Sequence, residues 1–248
     1  MSHIKLNEIS TRAAKDFDKK DTKEKTLQIL AELDELQNLL YAESQHAVLV
    51  IIQGMDASGK DGAVKNVFTS MNPAGVNVTS FKVPTDEELK HDFLWRIHLQ
   101  APAKGMIQIF NRSQYEDILI TRVHQWCDDK TAKKRMKAIN DWEELLTEHN
   151  NTVILKFYLH VSFEEQQHRL QERMKDPAKM WKYNANDFKE AKLWDVYLQM
   201  YEECFENCNV IPWTIVPSDQ NWYKEYVIAS KLKETLSGLH MHYPGLKK

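Results

Sequence analysis

The sequence predicts an α/β fold: a P-loop kinase-like parallel sheet of about five strands, with helices on both faces and a helical lid. Three observations carry that expectation. Short apolar, β-branched runs alternate with longer segments of helical periodicity, as strand–helix–strand units do. The first such run enters a glycine-rich turn, "QGMDASGKDG" (Gln53–Gly62), which an amphipathic segment follows. Between two later helical patterns lies a basic, aromatic stretch broken by Asp176-Pro177.

The elements follow in order. Residues 1–20 are polar and are expected to run along the surface or a partner subunit. Ile29, Leu33, Leu36 and Leu40 recur with helical spacing over 21–42. "HAVLVIIQG" reads as a strand covered on both faces. Val64, Val67, Phe68 and Met71 mark one face of the next helix, which "NPAG" stops at Asn72. "GVNVTSFKV" (75–83) is the second strand, 87–100 a helix, and "GMIQIF" a third strand ending at Asn111. Ser113 and Glu116 have the spacing of a capping box. A helix over 131–150, the strand "TVILKFYLHV", a helix over 163–175 and a long helix over 186–208 come next. "WTIVP" and a helix over 221–237 close the pattern. The expected organisation is one domain, 1–248, with an N-terminal helical extension over 1–44 and a lid region over 171–189.

Composition narrows the function. The chain is 42% apolar and 28% charged, ordinary for a soluble globular protein. No window approaches the roughly 18 apolar residues of a membrane span, and the N-terminus lacks a secretory core. Cys127, Cys204 and Cys208 form no CxxC pair and suit reduced thiols in the cytoplasm. A net charge of -3 gives no general attraction to polyanions, so neither nucleic acid nor a membrane is the expected partner. A phosphate-rich ligand must be held by a local cluster of Lys and Arg.

That cluster is expected beyond the carboxyl ends of the strands. The loop has the phosphate-loop spacing at Gly54, Gly59 and Lys60. Backbone N–H groups over Gly54, Ala57, Ser58, Gly59, Asp61 and Gly62 would cradle phosphate, with Lys60 reaching its oxygens. The residue after Lys60 is Asp61, where a magnesium-ligating Ser or Thr is usual, and Asp56 lies inside the loop. A carboxylate beside phosphate is repelled unless a cation stands between them. Asp56 is therefore read as a magnesium ligand. Asp61 either joins the site or favours the helix dipole. Asn111, at a strand end where an acid often supports magnesium, can only hydrogen-bond a bound water or phosphate. Arg112 suits bidentate phosphate contact. Glu116 is assigned to capping, and Asp117 to a second metal or water site. Arg122 lies within reach of the same groove. In the lid region Arg173 is expected on the transferring phosphoryl group, with Lys175 on phosphate.

"GMDASGKDG", "FNRSQYEDILITRVH" and "ERMKDPAKMWKYNANDF", in this order, resemble polyphosphate kinase family 2 across essentially the whole chain. The resemblance implies reversible phosphoryl transfer between inorganic polyphosphate and adenine nucleotides, with guanine as the alternative base. It implies Mg²⁺, or Mn²⁺ in its place, and a homodimer or homotetramer. Asp56 would bind the metal, and Arg112, Arg122 and Arg173 would steady the transferring group. Asn111 in place of the family's frequent Asp resembles the subgroup acting on both AMP and ADP. Two rival readings stay open. One is an ATP-dependent nucleoside-monophosphate or small-molecule kinase, the other a non-catalytic nucleotide- or polyphosphate-binding module.

Overall fold

Seven consecutive buried residues, Ala47–Gln53, form β1. Alternation divides them: Leu49 and Ile51 join one core, while Val48, Val50 and Ile52 join the other. Such a strand needs parallel neighbours and helices on both faces. The computed structural model, which describes residues 4–246, supplies both. With β2 (Val76–Ser80), β3 (Ile107–Asn111), β4 (Thr152–His160) and β5 (Trp213–Pro217), β1 forms a sheet in the order β2-β3-β1-β4-β5. All of these pairings are parallel, and Ile52 stands opposite both Asn111 and Phe157.

In chain order the helices are α1 (Lys19–Glu43), α2 (Lys60–Phe68), α3 (Trp95–His98), α4 (Ile120–Val123), α5 (Asp129–Asn150), α6 (Phe163–Lys175), α7 (Ala185–Glu190), α8 (Trp194–Asn207) and α9 (Asn221–Ser237). Leu33 and Leu40 of α1 pack with Val67 of α2 and Ile228 and Leu232 of α9 on one face. Ile139 and Trp142 of α5 and Tyr201 and Phe205 of α8 cover the other. Helix starts are set by side-chain caps: Asp18 accepts from Lys20 and Asp21, Asp128 from Thr131, and Ser162 from Glu165.

Three local expectations give way. The helix expected over 87–100 shrinks to a 3-10 turn at Glu88–Lys90 and the four residues of α3. Asp92 Oδ1 accepts the Leu94 N–H at 2.9 Å, a local bond that competes with helix continuation. The helix expected over 186–208 is divided into α7 and α8 by a 3-10 turn at Ala191–Leu193. The second strand stops at Ser80, and the Lys82 carbonyl accepts from Arg96 Nη1 at 2.8 Å. The N-terminal stretch is anchored as well as superficial. Leu6 is buried and its N–H donates to Glu202 at 2.8 Å, while Thr11 Oγ1 donates to Asp219 at 2.8 Å.

Candidate active site

The turn after β1 runs through backbone conformations that side chains disfavour. Gly54 has φ +154° and Gly59 φ +95°. A β-carbon at Gly54 would lie 2.7 Å from Ser58 Oγ, and one at Gly59 would collide with Lys224 Nζ. Ala57 (φ 59°) and Arg112 (φ 63°) are left-handed despite carrying side chains. Such strain persists where the surroundings over-determine it. Lys60 opens α2 and curls back, its Nζ donating to Gly54 O at 2.6 Å and Met55 O at 3.0 Å. Burial, aided by the charge of Arg112, pulls its pKa down to about 8. A buried ammonium over a ring of backbone amides is a strong anion site.

The loop opens into a cleft of about 770 Å³. Its walls come from the ends of β2 and β3, from α6, from the 171–189 segment and from the start of α9. Eight Lys and Arg line it against four Asp and Glu. In a chain of net charge -3, that local excess selects a polyanion. Asp56 Oδ1 accepts from Arg112 Nη2 at 2.7 Å. Asp61 accepts from Asn111 Nδ2 at 2.9 Å and from Lys182 Nζ at 2.8 Å. Burial pushes the Asp61 pKa up, but the bonds from Lys182 and Asn111 outweigh it and leave the carboxyl below its ordinary value. Arg173 Nη1 donates to Asp187 Oδ2 at 2.6 Å. The structure thus brings Asp56, Ala57, Gly59, Lys60, Asp61, Gly62, Asn111, Arg112 and Arg173 to one cleft. Ser58 is buried within the loop. Gly54 lines a smaller hollow of about 40 Å³ beside it, with Asp56, Arg112, Glu116 and Tyr201.

Three residues expected at the site lie elsewhere. Asp117 faces away, its Oδ2 3.7 Å from Arg96 Nη2. Burial raises its pKa against the charges of Arg96 and Arg135. Glu116 occupies the site instead. Both belong to a 3-10 turn, Gln114–Ile118, in which neighbouring side chains diverge by about 120°, so only one of the pair can face the loop. Ser113 caps that turn as expected, its Oγ accepting the Tyr115 N–H at 3.3 Å. Glu116 does not complete a capping box, because Gln53 accepts from Ser113 N at 3.2 Å and donates to Glu116 Oε1 at 3.0 Å. Arg122 pairs with Asp129 at 2.8 Å and Glu203 at 2.7 Å, at the join of α4 and α8. Lys175 ends α6 on a separate surface hollow with His168 and Asp176, whereas Lys179 and Lys182 face the cleft. Lys82, Arg169 and Lys224 also line the cleft, and no motif marks them.

The acids at the loop fit a hard cation. Burial raises the pKa of Glu116, partly offset by Arg112 and Lys60, and Asp56 adds to the rise. Burial and then Asp56 raise Asp187 as well. These carboxylates crowd one another even with cations nearby, and a divalent ion relieves that repulsion. Among the described residues no three His, Cys, Asp or Glu form a metal cage, so substrate oxygens would have to complete the coordination of a magnesium ion.

A parallel sheet whose central strand enters a strained glycine loop, with a cation-rich cleft beyond it, defines a phosphate-loop kinase-like protein. Within that class the chain belongs to the polyphosphate kinase 2 (PPK2) family, whose model matches residues 16–243. It is 46% identical over 242 residues to the AMP/ADP-polyphosphate phosphotransferase of Meiothermus ruber, covering 93% of this chain and 90% of that protein. It is 41% identical over 226 residues to the ADP-polyphosphate phosphotransferase of Rhodopseudomonas palustris, covering 86% and 78% respectively. The crystal structure of polyphosphate kinase 2 from Arthrobacter aurescens TC1 matches with a TM-score of 0.96 at 41% identity, over 100% of this chain and 90% of that one.

Proposed function

We propose that this enzyme transfers phosphoryl groups reversibly between inorganic polyphosphate and AMP or ADP, with Mg²⁺ bound at Asp56. The observation that carries the reading is the single cleft in which the phosphate loop, Asp56 and an excess of cations meet. Phosphoryl transfer asks a protein for alignment and charge neutralisation more than for covalent chemistry. Loop amides and Lys60 hold phosphate oxygens. Arg112, bonded to Asp56 at 2.7 Å, steadies the transferring group. Arg173 joins it on leaving its partner Asp187. Magnesium, when bound, supplies positive charge between Asp56 and the substrate phosphates. The lid, 171–189, is tied to the loop by Lys182 and Asp61 and excludes water when shut.

Several features support the choice of substrates. Asp61 replaces the hydroxyl that an ATP-using loop ordinarily carries. Asn111 leaves the end of β3 uncharged and bonds Asp61. The relatives' names favour AMP and ADP as acceptors. Self-association into two or four copies belongs to the same reading, and exposed Leu27 and Tyr41 on α1 offer apolar surface for it. No described helix is long and apolar enough to cross a membrane.

The test is direct. Polyphosphate with AMP or ADP, and no ATP, is expected to yield ADP or ATP, and chelation of divalent ions stops the reaction. Failure to phosphorylate either nucleotide overturns the proposal.

A further inference from the structure

Six consecutive carbonyl oxygens of the phosphate loop, Gly54 to Gly59, accept side-chain donors. Lys60 takes the first two. The other four are held from outside the motif. Gln166 Nε2 donates to Asp56 O at 3.0 Å. Arg169 Nη1 donates to Ala57 O and Ser58 O, each at 3.0 Å. Lys224 Nζ donates to Gly59 O at 3.1 Å. Gln166 and Arg169 come from α6 and Lys224 from α9.

A planar trans peptide points its N–H opposite its C=O. Fixing a carbonyl therefore also fixes the direction of the amide that follows it. Four fixed carbonyls orient the amides of residues 57 to 60, of which Ser58 N is already used in a turn to Met55 O at 3.2 Å. The clamp also spans Ala57, whose φ of 59° needs external support.

Arg169 lines the cleft, yet its donors are engaged on fixed acceptors. Nη2 donates to Ser218 O at 2.7 Å and Asp219 O at 3.1 Å, and Nε donates to Glu165 at 2.7 Å. Gln166 carries no charge and is 2% exposed. Neither residue looks like a phosphate ligand; both look like supports. The far end of the support reaches the N-terminal segment. Asp219 accepts from Ser162 N at 2.8 Å and from Thr11 Oγ1 at 2.8 Å.

We propose that Gln166 and Arg169 are positioning residues that pre-set the phosphate loop from its carbonyl side. Substrate phosphate then meets amides whose direction is already set, with less reorganisation on binding and transfer. This rests on reading the loop as a phosphate cradle.

Two variants of the full chain, with Arg169→Ala as a comparison, separate support from direct contact. Gln166→Leu changes no charge. Arg169→Lys keeps the charge but loses the planar fork. Calorimetry with inorganic tripolyphosphate and no nucleotide reads binding, thermal melting reads the fold, and steady-state assays read kcat and KM. Each folded variant is expected to weaken tripolyphosphate binding on the order of tenfold, the scale of a buried acceptor left unpaired. For Gln166→Leu the salt dependence is unchanged, since no phosphate contact is lost.

Folded variants that keep wild-type affinity and kcat overturn the proposal. So does Arg169→Lys behaving as wild type while only Arg169→Ala fails, because charge alone would then suffice. Loss of folding in both Gln166→Leu and Arg169→Lys assigns them to the fold and also overturns it. A wild type that binds tripolyphosphate but phosphorylates no nucleotide refutes the transfer reading, and weakened binding in the variants would still support the clamp.

Discussion

Asp56 sits between the Arg112 guanidinium and the cleft, 27% exposed, and is the acid best placed for a divalent ion. Asp56→Asn is expected to keep the fold while turnover falls on the order of a hundredfold or more, the scale of removing one preorganised electrostatic group. Near-wild-type activity in that variant removes the metal assignment. The neighbouring acids make a sharper comparison. Glu116 faces the loop, whereas Asp117 lies 3.7 Å from Arg96, which in turn holds the Lys82 carbonyl. Glu116→Gln should lower kcat on the order of tenfold, and Asp117→Asn much less. The reverse order would restore the residue that the sequence favours. Lys60 gives a pH signature. Its folded pKa is about 8 against 10.5 unfolded, so the unfolded chain binds more protons between those values. Stability of the unliganded protein therefore gains from Lys60 as pH rises through that window. A bound polyanion favours the charged form, so affinity falls over the same range. Melting curves of wild type and Lys60→Met across that window test the first half, because the variant should lose the Lys60 contribution.

The 171–189 segment shows what an element can and cannot reveal. Its Pro-broken basic composition marks it as a connection with a task, and it does line the cleft. Composition does not say which cations point inward. Arg173, Lys179 and Lys182 do, while Lys175 at the end of α6 does not. Spacing along an ideal helix predicts this poorly once the helix stops at Asp176 and a 3-10 turn follows. Arg173→Ala is expected to lower kcat more than it weakens substrate binding. If only the apparent affinity changes, the segment holds substrate and does not act on the transition state. Lys182→Ala removes the 2.8 Å tie to Asp61 and should speed proteolytic cleavage within 171–189 when no ligand is present. Unchanged cleavage would mean that packing, not this pair, holds the segment down.

At the scale of the molecule, one buried ionic knot joins elements far apart in sequence. Lys156 Nζ, at the middle of β4, donates to Glu143 Oε2, Tyr115 Oη and Cys208 O, each at 2.9 Å. Tyr115 donates in turn to Glu143 at 2.6 Å. Both charged side chains are wholly buried, and burial raises the Glu143 pKa. The knot secures the 3-10 turn that presents Glu116. Lys156→Met leaves Glu143 buried without its cation and should cost about 3–5 kcal/mol. Urea unfolding checks this, and a loss under about 1 kcal/mol would show the pair to be replaceable.

The order of strands and helices, and the place of the phosphate loop between β1 and α2, were determined by the chain's local pattern. Runs such as "AVLVIIQ" have a period and a burial that almost any neighbours would satisfy, and Gly54 and Gly59 mark backbone conformations directly. Tertiary structure alone decided which acid of the Glu116–Asp117 pair meets the loop, and where Arg122 finds its partners. It also decided that Gln166, Arg169 and Lys224 hold the loop by its carbonyls. Those outcomes depend on rotation within a single short turn and on contacts between residues far apart in sequence, 81 positions for Arg122 with Glu203 and 165 for Lys224 with Gly59. A local pattern carries neither.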